Sequence, residues 1–178
     1  MSAKPYGNAS MLKQRLGGTT STKTGFSSQG TNNVASTFKQ DLQRGMVAER
    51  IVLDDLLGIY PCATLVDAYK GYDIWIPEGN FGVEVKYDPA SNDTGNFLVE
   101  YEMNNKPSAL MATTAKLWAF YDDARIMYIK PRAIIKCIFD HKLTHRVITG
   151  PNDVASKKCF LIRKEDLYKY QLQLRGKA

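Results

Sequence analysis

Apolar and polar positions alternate most cleanly near the middle of the chain. In Phe81-Gly82-Val83-Glu84-Val85-Lys86, Val83 and Val85 fall on one face of an extended segment and Glu84 and Lys86 on the other. Just before it, Tyr72-Asp73-Ile74-Trp75-Ile76 is apolar or aromatic at nearly every position, and Pro77-Glu78-Gly79-Asn80 supplies turn chemistry. The pattern predicts two short strands joined by a turn. Upstream, Phe38, Leu42, Met46, Val47, Ile51, Leu53 and Leu57 recur at mostly three- and four-residue steps. That spacing predicts a helix from about Thr37 to Leu57, capped by Ser36 or Thr37 and stopped by Gly58. Between helix and turn, Ala63–Ala68 reads as a first strand.

Beyond Lys86 the elements are shorter. Tyr87–Asn96 holds Pro89, Asn92, Asp93, Gly95 and Asn96 and reads as a loop, followed by a strand at Phe97–Glu102. Pro107 to Tyr121 reads as a helix, with Leu110, Met111, Ala115, Leu117, Trp118 and Tyr121 as its apolar surface. A strand at Ile126–Ile129 and a helix over about 132–140 come next. A polar loop at 144–158, a last strand at Cys159–Ile162 and a short helix at Glu165–Leu174 complete the chain. The order of elements places the chain in the α/β class.

The chain has 178 residues, 44% of them hydrophobic, enough for one good core, expected at 37–178. Residues 1–36 are rich in Ser, Thr, Gly, Asn and Lys, contain no acid and read as a flexible basic arm. Such an arm suits nucleic acid, or a partner subunit in a homodimer or larger assembly. No run of 18 apolar residues predicts a membrane span, and no apolar signal core opens the chain. Cys62, Cys137 and Cys159 are odd in number and far apart, so they are expected reduced, in the core and in an intracellular setting. Net charge is +6, but residues 49–123 sum to −8 between flanks of +5 and +9. Acids between basic flanks suit a metal site beside a polyanion surface.

Asp73, Glu84 and Lys86 are the residues on which chemistry would rest. Two carboxylates and a lysine on apolar strands are rarely tolerated unless they pair or hold a metal. Asp73 and Glu84 offer hard oxygen ligands for Mg²⁺, and Lys86 could orient a water or neutralise a phosphoryl charge. The plainer alternative is a surface hairpin with a weak Glu–Lys pair. Glu49, at the edge of the first helix's apolar face, could reach the same metal or simply be solvated. Glu100 could add another acid. Cys137, His141 and His145 are four residues apart and would share one face of a continuous helix, so a zinc site is a further alternative.

Asp73 followed by Glu84-Val85-Lys86 in an apolar strand resembles the core of the PD-(D/E)XK nuclease superfamily. Gly45-Met46-Val47-Ala48-Glu49-Arg50 upstream adds to the likeness. Downstream, Thr94-Gly95-Asn96-Phe97-Leu98-Val99-Glu100-Tyr101-Glu102 and Pro107-Ser108-Ala109-Leu110 with Thr114-Ala115 and Trp118 are similar to phage-encoded and Holliday-junction-resolvase-like members. The similarity covers roughly residues 38–140; Tyr72 stands where the motif has its proline. The resemblance implies a restriction-endonuclease-like α-β-β-β-α-β core, with a central mixed sheet flanked by helices. It implies a Mg²⁺-dependent deoxyribonuclease, with Mn²⁺ as substitute, that leaves a free 3′ hydroxyl. Asp73, Glu84, the Val85 carbonyl and Glu49 would place the metal, with Lys86 assisting the water and Ser108, Thr114 and Lys116 near DNA. A phage origin would put the protein in the host cytoplasm or the virion. The alternative is a nuclease-fold protein that binds DNA or serves virion assembly without cutting.

Overall fold

A computed structural model describes residues 31–67, 71–149 and 156–174, with side chains from Gln40 onward. The fold is mixed α/β. Helix α1 spans Thr31–Leu57 and is followed by strands β1 (Thr64–Leu65), β2 (Ile74–Ile76) and β3 (Phe81–Tyr87). A short helix α2 (Ser91–Thr94) leads to β4 (Asn96–Met103) and β5 (Lys106–Pro107). Strands β6 (Leu117–Tyr121) and β7 (Ile126–Ile129) precede helix α3 (Pro131–Asp140). Strands β8 (Arg146–Ile148) and β9 (Lys157–Arg163) and helix α4 (Lys164–Tyr168) close the fold. Most of the expected arm, residues 1–30, lies outside the described residues; 31–36 belong to α1.

Two sheets result. The first is five-stranded and mixed, in the order β1-β2-β3-β6-β7, with β3 and β6 parallel and the other pairs antiparallel. The second is antiparallel, in the order β5-β4-β9-β8. Strand parity assigns the faces of the first sheet. Val83, Leu117, Ala119 and Tyr128 pack on Val52 and Leu56 of α1. Trp118, Phe120, Met127 and Ile129 point the other way, onto Phe97, Val99 and Ile162 of the second sheet and Ile134 and Cys137 of α3. Helices α1 and α3 therefore flank the mixed sheet on opposite faces, and the second sheet, which was not expected, shares the face of α3.

Three local corrections have physical causes. The helix expected over Pro107 to Tyr121 is instead the end of a hairpin, a 3₁₀ turn at Ala109–Met111 and strand β6. Asn104 and Asn105 both take left-handed backbone angles, as a two-residue hairpin turn requires, and this folds β5 back on β4. Thr113 Oγ1 then accepts the Ala115 N–H at 3.1 Å, a local bond that competes with helix. On α1 the inward face is Ala48, Val52 and Leu56, while Leu42, Met46, Val47, Ile51 and Leu57 are exposed. Cys62 is exposed as well, although Cys137 and Cys159 are buried; all three are free thiols. Among the described residues, no helix is long and apolar enough to cross a membrane.

Candidate functional site

The site forms where β2 runs out beside β3. The last register pair of these strands is Ile74 with Val83. Beyond it Asp73 takes over as partner: its N–H donates to the Val83 carbonyl at 3.0 Å, and its Oδ2 accepts the Val85 N–H at 2.7 Å. A carboxylate here replaces the missing strand. Val85 has the same parity as Val83, so its carbonyl also turns toward Asp73. Glu84 and Lys86 point to the opposite face, in register with Trp118 and Phe120 of β6. Lys86 Nζ lies 2.5 Å from Glu84 Oε1 and 5.0 Å from the Trp118 ring centre. Tyr72 explains the glycine next door: a Cβ on Gly82 would fall 2.2 Å from the Tyr72 ring.

The electrostatics are those of a site with too few cations. Burial pushes Asp73 above the usual carboxylate range, against the Val85 N–H and the Lys86 charge, which pull it down. Burial raises Glu84 too, with Lys86 opposing and Asp73 adding to the shift. Glu49 of α1 is raised by burial and then by the charges of Asp73, Glu84 and Asp67. Carboxylates from a helix, the approach to β2 and the middle of β3 therefore act on one another, and Lys86 offsets the charge of Asp73 and Glu84. Among the described residues, no three His, Cys, Asp or Glu side chains are grouped tightly enough to cage a metal alone. Mg²⁺ does not need that, since it takes one or two carboxylates and keeps several waters. Asp73, Glu84 and the Val85 carbonyl make such a donor set, and the mutual repulsion of the acids fits a bound cation.

Glu84 and Lys86 form part of the wall of a cleft of about 560 Å³, facing Leu98, Glu100 and Ser108 of the β4–β5 region, with Trp118 beside them. A bulge between Glu100 and Glu102 breaks the β4–β9 register, as bulges beside sites often do to re-aim a side chain. Glu100 accepts a hydrogen bond from the Ser108 hydroxyl, and Glu102 pairs with Lys158 at 2.5 Å. Of the three residues expected near DNA, only Ser108 lines this cleft. Thr114 Oγ1 donates to the Gly71 carbonyl at 3.3 Å, bracing the turn before Asp73. Lys116 Nζ donates to the Asn80 carbonyl at 3.2 Å, at the opposite end of β3. Trp118 and Thr113 complete the wall, the indole N–H donating to Thr113 Oγ1 at 3.1 Å. Their place becomes visible only once β6 is known to run beside β3.

Cys137, His141 and His145 are dispersed rather than gathered. Helix α3 ends at Asp140, so the even spacing does not keep them on one face. Cys137 is sealed in the core, where burial and the nearby Asp166 and Asp140 push its thiol up to about 11. His141 Nδ1 sits 3.7 Å from Asp166, and His145 meets the Tyr101 ring edge-on at 6.0 Å. The zinc alternative has no ligand cluster here.

Comparison with family models, curated proteins and solved structures finds no match for the chain.

Proposed function

We propose that this protein is a metal-dependent nuclease that hydrolyses DNA phosphodiester bonds. The observation that carries the reading is the pair of acids at the free end of a strand pair, Asp73 accepting the Val85 N–H and Glu84 paired with Lys86, with the charge of Glu49 close enough to act on both. The order of helix, three strands, crossover and a strand parallel to the third supports a restriction-endonuclease-like core. Its crossover is unusual in carrying β4, β5 and a 3₁₀ turn where that core has its second helix.

Asp73, Glu84 and the Val85 carbonyl would hold Mg²⁺ or Mn²⁺, with Glu49 close by. Such a cation, when bound, neutralises phosphoryl charge and acidifies water. The remaining work falls to side chains. Lys86 faces the cleft and offsets the negative charge on the phosphoryl oxygens as a water oxygen bonds to phosphorus and the bond to the 3′ oxygen breaks, the 3′ oxygen taking a proton from solvent as it leaves. With Asp73 and Glu84 taken up as metal ligands, the proton leaving the attacking water passes to solvent in the open cleft. The Lys86 ammonium lies over the Trp118 ring, 5.0 Å from its centre, an attraction that limits where it sits.

The test is cleavage of labelled DNA by purified protein in Mg²⁺, Mn²⁺ or EDTA. Metal-dependent cutting should fall roughly 100-fold or more in Lys86→Ala. Cutting that survives EDTA, or that Lys86→Ala retains in full, would contradict the proposal. The exposed Leu42, Met46 and Val47 on α1 favour a second reading, a DNA-binding or virion assembly role without turnover. Metal-independent binding with no cutting would select it.

A further inference from the structure

Lys86 is already engaged with one of the oxygens that a metal would need. Its ammonium lies 2.5 Å from Glu84 Oε1, and the two side chains are only 30% and 18% exposed. Among the described residues, Glu84 has no other hydrogen bond or ion pair. The same ammonium also draws the Asp73 carboxyl down, against the burial that pushes it up. One lysine thus acts on both carboxylates of the donor set. A divalent ion on Glu84 would sit about 2.0–2.1 Å from its oxygen. Two cations that close to one oxygen repel each other, and more strongly in a recess than in open water.

Lys86 has a second seat. Its Nζ is 5.0 Å from the Trp118 ring centre, within the range of about 6 Å over which a ring face attracts a cation. Trp118 is the register partner of Glu84 across β3 and β6, and its indole N–H donates to Thr113 Oγ1 at 3.1 Å, which fixes the ring. That seat remains when Glu84 is taken. The other acids lining the cleft already have donors: Asp88 Oδ2 accepts the Leu98 N–H at 3.1 Å, and Glu100 accepts the Ser108 hydroxyl. An ammonium leaving Glu84 therefore meets the ring and the open cleft rather than a vacant carboxylate.

We infer that Lys86 is a built-in stand-in for the metal ion: it holds Glu84 until a divalent cation takes that oxygen, and is then released to the Trp118 ring and the cleft. Loading the site and freeing the ammonium become one event, so substrate charge meets a free lysine only in loaded protein. This rests on the cation site of the nuclease reading and deepens it to the order in which that site assembles.

The experiment has two readouts besides activity: Mn²⁺ affinity by electron paramagnetic resonance, and Trp118 emission during Mg²⁺ titration. Trp75 is the only other tryptophan, so Trp75→Phe isolates the Trp118 signal. Lys86→Met keeps an apolar stem and removes the charge. It should bind Mn²⁺ at least about tenfold tighter than the parent, although cleavage is lost. Saturating Mg²⁺ should shift Trp118 emission when Lys86 is present and leave it nearly unchanged in Lys86→Met. Thermal unfolding of each variant guards against loss of fold. Lys86→Met binding Mn²⁺ no tighter, or the same emission change with and without Lys86, would overturn the inference. Cleavage assays separate the two claims. Both signatures without cutting keep the exchange and remove the nuclease; metal-dependent cutting by the parent without them keeps the nuclease and removes the exchange. No Mn²⁺ binding by either protein removes both.

Discussion

Two groups of half-buried or buried carboxylates in this molecule behave in opposite ways. At the site, Asp73 and Glu84 share one lysine, Glu49 has none, and all three are pushed up by burial. Across the fold, Asp122 and Asp166 are also buried, yet both are held below the usual range. Asp122 is the clearer contrast. Burial alone would raise it, but Lys164 and the Arg125 and Ala124 N–H groups more than offset that. Lys164 also donates to Asn92 Oδ1 at 2.8 Å, tying α4 to α2. Asp166 is brought to about 2 by hydrogen bonds from Lys169 and Arg163. The same residue types are depressed in pKa where every oxygen has a donor and raised where the donors are too few.

The largest expected effect breaks the structural side. Asp122→Ala removes two backbone caps and leaves Lys164, 15% exposed, without its carboxylate. Denaturant unfolding should show a loss of about 3 kcal/mol or more. Glu84→Gln should do the reverse, abolishing cleavage while metal-free stability stays level or rises.

A pH series sharpens the contrast. In EDTA, the stability that the site acids contribute is present below the ordinary carboxylate range and fades as pH rises through their raised values. Asp122 and Asp166 contribute stability above that range, lost as pH falls through their depressed values, about 2 for Asp166. Urea unfolding from pH 4 to 8 should therefore show wild type losing ground to Glu84→Gln on the neutral side. The two curves running parallel would break the distinction. Smallest is Glu49→Gln, which removes one repelling charge from α1 and should stabilise the metal-free protein by about 0.5–1 kcal/mol.

The site was more legible in the sequence than the frame around it. Alternation in Phe81–Lys86 put Glu84 and Lys86 on one face, and the β3–β6 register agrees. Asp73 could be picked out as a charge on an apolar strand, though its role as substitute partner for Val85 depends on where β2 stops. Strand β6 of the first sheet was hidden because Leu110, Met111, Ala115, Leu117 and Trp118 match a helical spacing. Yet Leu117-Trp118-Ala119-Phe120 is a strand buried on both faces, which periodicity cannot tell from helix. On α1 the sequence pointed to its largest apolar residues, whereas Ala48, the smallest, lies on the face that meets the sheet, beside Glu49.

The most direct test of the central claim, that the repelling acids form a cation site, is thermal unfolding with and without Mn²⁺ at neutral pH. Wild type should gain stability with metal, about 2.7 kcal/mol when the ion is 100-fold above its dissociation constant, and Asp73→Asn with Glu84→Gln should gain none. An equal response from both proteins, or no response from wild type, would contradict the account.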